Sequence, residues 1–167
     1  LPDRDHGYCT DDNARALIVA LMTQHVLRDS SEMVPLTYSY LGFLQHAFNS
    51  DNGRFRNFMG YDRHWQEDVG SEDSHGRAMW ALGTAVLEAP TQGMVASAVN
   101  LFEEALPVTL EFTNLRSIAY TMLGVDAYLR RFAGASEVRR ALRHFAEQLY
   151  AASKVNGSQD WPWVEDV

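Results

Sequence analysis

Six stretches of apolar residues recur at helical spacing along the chain, each closed by Gly, Pro, Asn or Ser, and this rhythm restricts the fold to packed α-helices. The periodicity predicts helices over about 11–27, 32–48, 74–87, 92–106, 114–132 and 136–154. The first, third and fifth are rich in small apolar residues and open on polar clusters. The second, fourth and sixth carry more charge. An inner helix followed by an outer one, three times over, is the pattern of stacked helical hairpins. The sixth is the clearest amphipathic helix, with Val138, Leu142, Phe145 and Leu149 inward and Arg139, Arg140, Arg143 and Glu147 outward. The first is apolar almost all round and is expected inside. Gly42, among Tyr38, Tyr40 and Phe43, is expected to let a neighbour approach closely, and Pro107 to kink or end the fourth helix.

The segment between the second and third helices differs. Asp51-Asn52-Gly53 is a tight-turn signal, Arg54 to Phe58 alternates polar with aromatic residues as a short strand does, and Tyr61 to Trp65 is the expected return strand. A connection longer than about 12 to 15 residues without helices of its own favours a functional role; the ordinary alternative is a surface hairpin packed on a helix end.

The chain has 167 residues, enough for one domain with a real core, and no second domain is required. A formal net charge of −8 argues against nucleic acid and anionic membranes as partners, because both reward clustered Lys and Arg. No apolar run reaches the ~20 residues of a membrane span. Cys9 is the single cysteine, so no internal disulfide can form, which fits a reducing cytoplasm. The first residue is not Met and the last ones stop inside an aromatic-acidic motif, the expectation being a piece of a longer protein.

The chemistry-bearing residues fall in three clusters. Gly70-Ser71-Glu72-Asp73-Ser74-His75-Gly76-Arg77 enters the third helix, Thr10-Asp11-Asp12-Asn13-Ala14-Arg15 enters the first, and Asp160-Trp161-Pro162-Trp163-Val164-Glu165-Asp166 closes the chain. Asp and Ser at helix starts are ordinary caps, and Asp12 or Asp73 alone needs no further explanation. What caps do not explain is the doubling, Asp11 beside Asp12, Glu72 beside Asp73, Glu165 beside Asp166.

With Gly7-Tyr8-Cys9 ahead of the first cluster, these motifs together resemble a domain of bacterial proteins classed as glycosyltransferases, similar in texture to the six-hairpin (α/α) toroids of glycosidases. The resemblance implies an all-α partial toroid of antiparallel hairpins, carbohydrate as ligand, and a nucleotide-sugar-using domain elsewhere on the same full-length chain. A complete toroid has about twelve helices, so this chain would supply half, and a second copy is one way to close the ring.

Glycoside chemistry needs one carboxylic acid to protonate the leaving oxygen and one carboxylate to activate water or attack carbon, about 5 to 9.5 Å apart. Acids at the same end of adjacent inner helices can meet that requirement. Asp11, Asp12, Glu72 and Asp73 are therefore the catalytic candidates, with His75 as a further acid–base group and Glu165 or Asp166 as a third acid. Arg15 and Arg77 can keep one acid ionised. Tyr8, Trp65, Trp161 and Trp163 offer flat faces for sugar rings, whereas Trp80, deep in an apolar helix, reads as core. No cofactor is expected. Metal ligation by the acids and His75 is not expected, since no His-x-x-x-His spacing supports it. The same surface would also serve a noncatalytic module binding glycan or the partner domain, or a plain helical scaffold.

Overall fold

The computed structural model describes residues 7–27, 31–158 and 160. The described chain is mostly helical: α1 (Thr10–Val26), α2 (Met33–Ala47), α3 (Glu72–Glu88), α4 (Gln92–Ala105), α5 (Leu115–Arg131) and α6 (Ser136–Asn156). Pro107 does end a helix, and the chain continues as a 3₁₀ turn over Pro107–Glu111.

The doubled acids of α1 and α3 are not the N-caps. Ser71 caps α3 by accepting from the Ser74 N–H, Thr91 caps α4 through Met94, and Asn114 caps α5 through Ser117, whereas Cys9 precedes α1 with no side-chain cap. Asp11, Asp12, Glu72 and Asp73 sit instead in the first turns, where the positive end of the helix dipole favours them.

Helix α3 lies between α1 and α5, and α2, α4 and α6 pack back on α1, α3 and α5 respectively. The α3–α5 contact is the most intimate, because glycines let the two backbones touch. A Cβ on Gly83 would overlap the Gly124 carbonyl, and one on Gly124 would overlap the Met79 carbonyl. A Cβ on Gly76 would meet Ser117 in the same way. Gly76 with Ser117 and Gly83 with Gly124 keep the separation of 41 residues that also relates Glu72 to Thr113, so α3 and α5 run parallel and start at one end. Arg131, near the C-terminus of α5, donates to the Val86 and Leu87 carbonyls at the end of α3, tying the opposite ends.

The core runs through Leu17, Leu21, Leu44, Phe55, Met79, Leu82, Phe102, Ile118 and Phe145. Two expectations fail. Helix α1 is not enclosed, since Val19, Met22 and Val26 are 63%, 60% and 81% exposed on the face turned from α2 and α3. A Cβ on Gly42 would meet open space, so that glycine serves no close approach.

The aromatic loop is built differently from a single hairpin. The Asp51-Asn52-Gly53 turn forms, with Gly53 at φ +70°, but it joins β2 (Phe48–Asn49) to β3 (Arg54–Phe55). The next strand, β4 (Phe58–Met59), pairs with β1 (Tyr8–Cys9), and the expected return strand is reduced to one bridge between Met59 and Trp65. The pairing with β1 carries the loop onto the entrance of α1.

Candidate functional site

The loop sets two helix starts side by side through Asn57. Its carbonyl accepts the Thr10 N–H of α1 at 2.8 Å, and its side-chain oxygen accepts the Ser71 N–H ahead of α3 at 3.1 Å. The neighbouring Arg56 carbonyl takes the Thr10 hydroxyl at 2.5 Å. Glu67 fixes the turn from behind by accepting the Asn57 and Phe58 N–H groups. Apart from the Thr10 hydroxyl bond, each fills a backbone donor that a helix or loop end would otherwise leave open.

On that clamp the charged side chains form one alternating ladder, Asp12–Arg15–Asp11–Arg77–Asp73. Arg15 donates to both Asp11 Oδ2 and Asp12 Oδ1 at 2.7 Å. Arg77 Nε donates to Asp73 Oδ2 at 3.0 Å and lies 3.1 Å from Asp11 Oδ1. Nε has a single hydrogen, and it goes to Asp73. The buried Asp11 Oδ1 therefore receives attraction but no hydrogen bond. Burial raises the Asp11 pKa above the ordinary carboxylate value, with Arg77 and Arg15 opposing and Asp12 and Asp73 reinforcing. Because the Asp11 and Asp73 oxygens share one nitrogen at 3.1 and 3.0 Å, they lie at most about 6 Å apart.

Arg77 also lies over the Tyr120 ring, 4.5 Å from its centroid, and Tyr120 stacks on Trp80 with centroids 5.9 Å apart and planes 6° from parallel. Both rings are half-buried, so Trp80 is less deeply placed than its apolar surroundings in sequence imply. Tyr120 was not among the expected site residues; nothing local in the sequence marks it, and only the α3–α5 packing brings it to Arg77.

Two expected catalytic groups are placed in other roles. Glu72 Oε2 accepts the Thr113 and Asn114 N–H groups at 3.0 and 2.8 Å, closing the entrance of α5. His75 is fully buried between the edges of Phe55 and Phe112. The Phe55 N–H points to Nδ1 and the Ala105 carbonyl faces Nε2 at 3.1 Å, an arrangement that requires the neutral ring with its proton on Nε2. Burial, helped by the nearby Arg54 charge, pushes its pKa down to about 3. With no surface open to solvent, His75 orders the junction of loop, α3 and α4 and has no path to a ligand in this conformation.

Tyr8 and Trp65 belong to a neighbouring aromatic group instead of the ladder. Tyr8 packs on Tyr61 and Phe43 beneath Arg63, and Trp65 packs on Phe43 and His46 with Arg56 over it. Arg63 holds a left-handed backbone, φ 69°. Trp161, Trp163, Glu165 and Asp166 lie outside the described residues, and Asp160 is exposed.

Cys9, Asp11 and Asp12 place one donor atom each within 4.8 Å of one another, the one group among the described residues that could hold a metal. Arg15 already bonds both carboxylates, and burial raises the Cys9 thiol pKa, so the donor set is poorly prepared for an ion. Among the described residues no helix is long and apolar enough to cross a membrane.

No protein family and no curated protein matches the chain. The functional reading therefore rests on the ladder and its surroundings.

Proposed function

We propose that the chain is a carbohydrate-active domain of a glycosyltransferase-type protein, a partial (α/α) toroid whose glycan lies across the starts of α1 and α3. The observation that carries this reading is the sharing of Arg77 by Asp11 and Asp73, two carboxylates from adjacent helices with oxygens at most about 6 Å apart, beside the half-buried Trp80–Tyr120 pair. Asp11, with a buried oxygen that lacks a hydrogen bond and a raised pKa, is the group suited to hold a proton. Asp12 and Asp73 are each hydrogen-bonded to an arginine beside it. Trp80 and Tyr120 offer aromatic surface to a sugar ring, and a nucleotide-sugar-using domain on the same chain would supply the donor.

A second reading, glycan binding without turnover, is favoured by the ladder itself, since Arg15 and Arg77 satisfy the very oxygens that a reaction would need released. The two readings separate in the full-length protein. Asp11→Asn should lower transfer to or cleavage of glycan by roughly 10² to 10⁴ if Asp11 moves a proton, with glycan affinity retained. Unchanged turnover removes the catalytic assignment and leaves the binding one.

A further inference from the structure

A cleft of about 830 Å³ opens between α4 and α6, away from the ladder and independent of it. Leu106, Pro107 and Leu110 form one wall, and Val138 and Ala141 form the other. Its volume and mostly apolar lining fall in the range of small-molecule sites.

The polar groups at its edge are unequal. Arg140 is paired with Glu137 one turn away on α6, which neutralises both. Glu103 is held differently: the hydroxyl of the buried Tyr128 donates to its Oε1 at 2.5 Å. Burial, with that bond and the carboxylate charge beside it, raises the Tyr128 pKa above its ordinary value, so the hydroxyl stays a neutral donor. Among the described residues no cation pairs with Glu103. A carboxylate fixed by a neutral buried donor, at the edge of an apolar cleft and on a chain of net charge −8, is complementary to one kind of occupant.

We propose that this cleft binds an amphiphilic cation, an apolar body seated between Leu106, Leu110 and Val138 with a single ammonium group on Glu103. The second Glu103 oxygen accepts the ammonium hydrogen bond while Tyr128 keeps the carboxylate in place. The apolar body supplies most of the affinity and the carboxylate supplies the choice of charge.

The test uses two probes with the same body, 2-phenylethylammonium and neutral 2-phenylethanol, titrated into the isotope-labelled protein and followed by amide and methyl NMR shifts. The expected result is saturable binding of the amine in the millimolar range, with shifts at Leu106, Leu110, Val138 and Ala141, about tenfold tighter than the alcohol. Glu103→Gln should abolish that preference without changing alcohol binding, and Tyr128→Phe, which leaves the carboxylate, should keep it within about threefold. Equal binding of the two probes, a preference that survives Glu103→Gln, or shifts centred on Arg77 and Trp80 would each overturn the proposal.

Discussion

Asp11 on α1 and Arg77 on α3 lie 3.1 Å apart through a carboxylate oxygen that is buried and receives no hydrogen bond, because the one hydrogen on Arg77 Nε is given to Asp73. Arg77 thus joins two helices with one charge. Arg77→Gln should cost about 1 to 3 kcal/mol in chemical denaturation, the range for leaving buried polar atoms without partners. Combined with Asp11→Asn, the costs should fall short of additive by at least about 0.5 kcal/mol. Strict additivity would mean that the two side chains do not interact in solution.

The same relationship has a titration signature. Desolvation raises the Asp11 pKa while Arg77 pulls it down, so the carboxyl carbon of Asp11 should titrate above the ordinary value of 3.8, and higher still in Arg77→Gln. A midpoint at or below the ordinary value in the wild-type protein would contradict the proton-holding role given to Asp11.

His75 makes stability depend on pH. Its folded pKa of about 3 lies below the ordinary 6.5, so between those values the unfolded chain binds a proton that the folded chain refuses. Its contribution is complete above about pH 6.5 and is lost as pH falls toward 3, by at most about 4 to 5 kcal/mol at 1.36 kcal/mol per unit. His75→Gln, which can still accept from Phe55 and donate to Ala105, should flatten this acid limb. A limb as steep as in the wild type would assign the dependence to other groups.

Glycine contact between α3 and α5 gives a sharper stability test. Gly83→Ala and Gly124→Ala each place a methyl group into the opposing backbone, which no side-chain rotation can relieve. Each should cost about 1 to 3 kcal/mol or more, despite the better helix propensity of Ala. Gly42→Ala, facing open space, should instead be neutral or stabilising by up to about 1 kcal/mol.

Helices were legible because their apolar periodicity is local, and each observed helix lies within a few residues of its expected range. The acid clusters of α1 and α3 were legible as helix entrances, and Asp11, Asp12, Arg15, Asp73 and Arg77 do come together there. Glu72 and His75 were not separable from them in sequence, since a carboxylate closing the start of α5 and a histidine in the core look the same in one dimension. The strand pairing was not legible because β4 pairs with β1, far away in sequence, through the junction that Asn57 organises. Tyr120 escaped for a related reason: its position follows from small residues two turns apart on both helices, Gly76 and Gly83 on α3, Ser117 and Gly124 on α5. That pairing was present in the sequence as a spacing signal.

Asn57 should behave as a joint. Asn57→Ala removes the side-chain acceptor for the Ser71 N–H and should cost about 1 to 2 kcal/mol, with faster hydrogen exchange at Ser71. Exchange at Thr10, which bonds the Asn57 carbonyl, should change less. Equal loss of protection at both amides would mean that the loop detaches as a whole.

Glycan binding at the start of α1 and α3 is tested most directly by screening the protein against a panel of defined oligosaccharides and mapping any binder by NMR. The account predicts saturable shifts at Arg77 Nε–H, the Trp80 indole and the Tyr120 ring, with affinity reduced at least tenfold in Arg77→Gln and Trp80→Ala. Binding that leaves those three signals unmoved, or no binding by any oligosaccharide in the panel, would contradict it.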